Sequence, residues 1–200
     1  MSHPIFSRAV LRPAVPALLA LGSAAAQAHA GLDAGQHHGF FSGLLHPMGG
    51  LDHLAAMLAV GLWSATTSAR RAWAAPLAFA LALLAGAWLA QSGLAFAGVE
   101  PMIIASLLVI GLLLATQARL HASIGAVLVG YFALFHGAAH GQELGGDAAL
   151  LGMVAGTTLL HLAGLGAGLA LRERAAWAPR VAGVAVAASG AALGWSLLAA

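Results

Sequence analysis

The chain has 200 residues, of which 61% are hydrophobic and 7% charged, where a soluble domain carries roughly 25% charged residues. So short a chain cannot hide that much apolar surface inside a water-facing fold, which leaves lipid as its solvent and an all-α integral membrane protein as its class. Cysteine is absent, excluding disulfides, thiolate metal sites, iron–sulfur clusters and a cysteine nucleophile, and a net charge of only +2 does not imply a nucleic-acid partner.

The chain opens with the features of a secretory leader. Arg8 and Arg12 form a basic region, residues 14–22 are an apolar run too short to span a bilayer, and small residues follow. Cleavage after Ala28 is expected, with Ala30 as the second option and an uncleaved amphipathic anchor as the alternative. Residues 1–28 are then a signal peptide, and residues 29–200 a single transmembrane domain.

Six apolar stretches come next, at residues 42–65, 73–91, 101–117, 121–140, 148–171 and 178–198. Each is close to the length of a spanning helix. The expected architecture is a bundle of six transmembrane helices, the first broken at a Pro/Gly motif. With the mature N-terminus outside, the inner connections hold Arg70, Arg71, Arg119, Arg172, Arg174 and Arg180. That is every Arg beyond the leader, as the positive-inside rule demands. Asp33, Glu100, Glu143 and Asp147 fall on the outer side, an acidic face that attracts cations. The mature N-terminus is expected on the outer side of the membrane.

Ten His against six acidic residues is an unusual ratio, and several lie inside the spans. An ionisable group there costs about 2.5–3.5 kcal/mol on insertion scales, which makes each a functional candidate. The first cluster is His46-Pro47-Met48-Gly49-Gly50-Leu51-Asp52-His53, in the outer part of the first span. On a straight helix His46 and His53 would be about 10.5 Å apart along the axis, too far to share an ion bound at about 2.0–2.1 Å. Pro47, Gly49 and Gly50 remove that obstacle by favouring an unwound turn. Asp52 either orients an imidazole or faces the path directly. The second cluster is Phe135-His136-Gly137-Ala138-Ala139-His140-Gly141-Gln142-Glu143, at the outer end of the fourth span. His136, His140 and Glu143 stand at i, i+4 and i+7 on one stripe, at the same depth as the first cluster. His161 in the fifth span, Glu100 beside Pro101, and His29, His37 and His38 on the outer side complete the candidates. Against them stand blander readings: an interhelical hydrogen-bonding role for His161, helix capping for Glu100 and a solvated pair for His37 and His38.

At these residues the sequence resembles the HupE/UreJ family of nickel and cobalt permeases. The pattern H-P-x-x-G-x-D-H matches His46, Pro47, Gly50, Asp52 and His53, and Met57, Ala59, Val60, Gly61, Leu62 and Trp63 continue the similarity. F-H-G-x-A-H-G-x-E matches Phe135, His136, Gly137, Ala139, His140, Gly141 and Glu143 without a gap. The resemblance extends over the whole chain. It implies metal uptake across the cytoplasmic membrane, often serving hydrogenase or urease maturation, with His46, Asp52, His53, Glu100, His140 and Glu143 important for transport. His29, His37, His38 and His161 are candidates from ligand chemistry alone, and His136 is one from its place in the second motif.

The function expected is therefore passage of a divalent metal ion, Ni2+ or Co2+, as transported substrate and without a permanently bound cofactor. The sequence contains no phosphate-binding loop, so the electrochemical gradient is the expected drive. A membrane-embedded zinc hydrolase is the alternative; it lacks an assigned general base. A bis-His haem carrier leaves the carboxylates unexplained.

Overall fold

The computed structural model describes residues 37–67 and 71–199. The expected leader, His29, Asp33 and Arg70 lie outside the described residues. The chain order is β1 (His37–His38), α1 (Phe40–Leu45), a 3-10 turn (His46–Met48), α2 (Leu51–Thr67), α3 (Ala74–Gln91), α4 (Val99–Thr116), α5 (Ala122–Glu143), β2 (Leu144–Gly145), α6 (Asp147–Arg174) and α7 (Ala178–Ala199).

Among the described residues five helices, α3 to α7, are long and apolar enough to cross a membrane. At 1.5 Å per residue the shortest, of 18 residues, is about 27 Å long, close to the hydrocarbon thickness of a bilayer. The first apolar stretch is two helices, α1 and α2, separated by the 3-10 turn. Pro47 occupies the start of that turn and offers no backbone donor, and Gly49 and Gly50 follow it with little helical preference. The other helix boundaries lie within a few residues of those expected, because Arg, Pro, Gly and Glu interrupt the apolar runs there.

Helices distant in sequence pack as pairs: α3 on α5, α4 on α7, and α1 with α2 on α6. Close approaches give their directions. Gly130 faces Ala78 and Ala82, Gly137 faces Leu83 and Gly141 faces Ala87, so α3 and α5 run the same way. Gly152 and Gly156 lie against Phe40 and Leu44, and Gly164 against Leu58, so the first stretch runs parallel to α6. Gly183 lies on Ala115 and Gly190 on Leu107 and Leu108, so α4 and α7 are antiparallel. These are the directions of a chain that reverses at every connection. They also explain why β1 and β2 pair in parallel, His37 beside Leu144 and His38 beside Gly145.

The two ends of the bundle differ in charge. Arg119, Arg172 and Arg180 line a cleft of about 310 Å3 with Thr66, Thr116 and Gln117, at the end where α2, α4 and α6 finish. Glu100, Glu143 and Asp147 belong to the opposite end. Apolar side chains fill the interior, among them Met57, Val60, Phe79, Leu83, Leu107, Val129 and Met153. Large apolar side chains such as Leu81, Trp88, Val127, Leu159 and Val184 are exposed around the outside, as a lipid-facing surface requires.

Candidate metal centre

The break before α2 and the C-terminal turns of α5 meet at the acidic end. Gly137 and Gly141 seat α3 against α5 at this level. A Cβ at either would collide with the carbonyl oxygen of Leu83 or Ala87, so only glycine lets α3 lie against α5 at the level of the histidines. Gly50 has a different part: a Cβ there would come within 2.8 Å of Asp52 Oδ1 and 3.2 Å of His53 Nδ1. Its bare backbone leaves room for that pair to fold back over the turn.

At the mouth, His46, His140 and Glu143 offer three donor atoms within 4.8 Å of one another. His46 Nε2 is 2.7 Å from His140 Nδ1 and 3.0 Å from Glu143 Oε2, and His140 Nδ1 is 3.4 Å from the same carboxylate oxygen. The proton between His46 Nε2 and His140 Nδ1 can sit on either ring; on His140 Nδ1 it leaves that ring's Nε2 as the basic nitrogen. Two ligands held at about 2.0–2.1 Å from one ion stand about 3.0–3.4 Å apart, so the mouth is within a few tenths of an ångström of a coordinating arrangement.

Beneath the mouth lie His53 and His136. The ring of His53 is 4.3 Å from that of His140 and 4.9 Å from that of His136, centroid to centroid. His53 Nδ1–H donates to Asp52 Oδ1 at 3.0 Å, an interaction that fixes the tautomer and turns Nε2 into an electron-pair donor. Ser106 on α4 holds His136 in the same way. Its hydroxyl donates to the Ile103 carbonyl at 2.6 Å and accepts from His136 Nε2–H at 2.9 Å, which leaves Nδ1 as the basic nitrogen. His53 Nε2, His136 Nδ1 and His140 Nε2 are all buried without a hydrogen-bond partner. Each such orphan costs about 1–3 kcal/mol; the rings of His136 and His140 both contact that of His53, while the group of donor atoms close enough to share one ion, among the described residues, is His46, His140 and Glu143. Asp52 and Glu143 contribute two negative charges, the number that offsets one divalent cation.

The structure thus brings together His46, Asp52, His53, His136, His140 and Glu143. The backbones of His37 and His38 join the mouth through β1, whose partner β2 follows Glu143 directly. Glu100 is exposed in the first turn of α4 and forms no part of the cluster. His161 is buried mid-helix in α6, separated from the cluster by the ring of Phe79. Sequence reasoning missed Ser106 and Phe79. A lone hydroxyl within the apolar run of α4 was the one available signal for the first; nothing in the sequence distinguishes Phe79 from a core aromatic.

Imidazoles and carboxylates gathered within a bundle of lipid-facing helices define a membrane protein with a candidate cation site. Comparison with known proteins narrows this. Residues 17–193 match the family described as HupE / UreJ protein, and the chain is 42% identical over 182 residues to Protein HupE of Rhizobium leguminosarum bv. viciae, covering 88% of this chain and 93% of that protein. The chain belongs to the HupE/UreJ family, that of the nickel and cobalt permeases its motifs resemble. No solved structure matches it.

Proposed function

We propose that this protein is a permease that moves Ni2+ or Co2+ into the cytoplasm through the His/carboxylate cluster. The observation that carries the proposal is the set of three buried, partnerless imidazole nitrogens beside two carboxylates. A resident packing cluster would satisfy its own donors and acceptors; this one is completed by a cation. Imidazole and carboxylate suit nickel, cobalt, zinc or copper, and affinity order alone does not select among them. Nickel and cobalt come from the family.

The acidic end faces the periplasm of a bacterial cytoplasmic membrane, as the arginines at the other end argue. Glu143, His46 and His140 receive the hydrated ion, with His37 and His38 beside them to gather it. His53 and His136 then replace more of its water shell, with Asp52 offsetting its charge. Inward passage of a divalent ion down the membrane potential gains about 4.6 kcal/mol per 100 mV, twice the single-charge value. No chemical step is involved, and the ion is cargo rather than cofactor. The kinship with HupE supports a supply role for hydrogenase or urease maturation.

The test is nickel uptake by intact cells expressing His53→Ala or His140→Ala at wild-type protein levels. Uptake should fall to the background of cells lacking the protein, and undiminished uptake would refute the proposal. Competition among nickel, cobalt and zinc against the wild-type chain then identifies the substrate.

A further inference from the structure

The chain of rings does not end at His136. Phe79 on α3 stands 5.6 Å from the His136 ring and 4.9 Å from the His161 ring, so one aromatic side chain lies between the cluster and an imidazole in the middle of α6. His161 is 2% exposed, and neither of its ring nitrogens has a hydrogen-bond partner. A histidine that joined two helices by a hydrogen bond would use at least one of them.

Two buried hydroxyls are in the same condition. Thr157 Oγ1 and Ser64 Oγ have no partner, although a helical hydroxyl normally returns to a carbonyl three or four residues back. Thr66, Thr67, Thr116, Thr158, Ser189 and Ser196 all do so in this chain. Thr157 precedes His161 by one turn on the same face of α6. Ser64 belongs to the stripe of α2 that descends from His53 through Met57 and Val60, all of them buried. The two helices touch at His161, since a Cβ at Gly61 would run into its carbonyl oxygen, but Gly168 lies against Leu62 and Ala65, so Ser64 stands at the level of Gly168, further inward than His161 and Thr157.

We propose that His161 and Thr157 form a second station for the transported divalent cation, separated from the outer cluster by Phe79. This rests on the permease reading above and extends it. The station has one imidazole, one hydroxyl and no carboxylate, so it holds the ion more weakly than the outer cluster does. Weak, sequential sites are what passage requires, because an ion bound tightly at every stage is not released.

Cobalt titration of the purified full-length protein in lipid nanodiscs tests the proposal, read by visible d–d absorption and calorimetry, with nickel uptake measured in parallel. The wild-type protein should show a tight and a weak class of site. His161→Leu should lose the weak class, keep the tight one within threefold, and lower uptake at least tenfold. Thr157→Val should weaken the weak class by threefold or more while leaving the thermal midpoint unchanged or raised, since it removes a hydroxyl without a partner. If His161→Leu does not fold, His161→Gln and Thr157→Val give the same reading. A single class in the wild-type protein, retention of both classes in the His161 variants, or a fall in the thermal midpoint of Thr157→Val would overturn the second station. Unchanged uptake in His140→Ala would overturn the permease reading instead.

Discussion

Asp52→Asn separates charge from geometry at the outer cluster. Asparagine keeps an oxygen that accepts the His53 Nδ1–H bond, now 3.0 Å long, so the tautomer and the aim of Nε2 survive. What is lost is one negative charge. An ion bound at about 2.0–2.1 Å by Nε2 lies about 7 Å from the carboxylate, counting about 2.2 Å across the imidazole ring. At that range a dication gains about 5 kcal/mol from a single negative charge at an effective dielectric of 20, and about 1 kcal/mol in water. Asp52 is 7% exposed whereas Glu143, on the mouth side, is 57% exposed, so the environment lies between those limits. We expect a loss of about 2–3 kcal/mol, or roughly 100-fold in affinity, measured by cobalt titration in nanodiscs. Without metal the variant should be no less stable, because a buried carboxylate has been replaced by a neutral amide. The thermal midpoint without metal should hold, and the rise on adding cobalt should shrink. An affinity within threefold of wild type, or a clear loss of metal-free stability, would refute the electrostatic role.

Other outcomes follow from the same geometry. Gly137→Ala should destabilise the fold by about 1–3 kcal/mol and reduce uptake, since its Cβ meets the Leu83 backbone; Gly130→Ala, which meets ordinary contacts no closer than 3.6 Å, should be tolerated, and folded yield and thermal midpoint report both. Ser106→Ala should strand His136 Nε2 and weaken cobalt binding about tenfold, a loss Ser106→Thr partly restores. Gly50→Ala should impair cobalt binding more than stability by displacing the Asp52–His53 pair, whereas Gly49→Ala, whose Cβ meets only the His46 carbonyl at 3.4 Å, should be near neutral by the same titration. Because the chain has no native cysteine, Ser92→Cys should react with an impermeant maleimide from the periplasmic side, and Ala176→Cys only after permeabilisation. Reversed labelling would overturn the orientation.

The helices were legible because lipid imposes long apolar runs and tolerates Arg, Pro and Gly mainly between them. The break in the first stretch was legible from Pro47, Gly49 and Gly50, whose backbone chemistry is local. The cluster was half legible. His136, His140 and Glu143 share a stripe by spacing alone, and their depth relative to His46 and His53 followed from counting reversals. Which imidazole nitrogen stays basic was not legible, because it depends on Ser106, brought to His136 by the packing of α4 on α5. Glu100 belongs to the same motif-derived set as the others, yet its position at the start of α4 leaves it facing solvent. The part of Gly137 and Gly141 in seating α3 was likewise invisible, since a motif does not say which backbone lies across it.

The outer cluster is assembled from two segments made at different times. His46 and His140, hydrogen-bonded in the finished protein, are 94 residues apart, so roughly 5–20 s of synthesis separate them at 5–20 residues per second. In that interval the first segment must reside in the membrane without its partners. Asp52 and His53 are adjacent and bonded to each other, so the most deeply buried acid of the cluster carries its own proton donor from the start. The pair that fixes the imidazole's tautomer also lets the first segment wait in lipid until the second arrives.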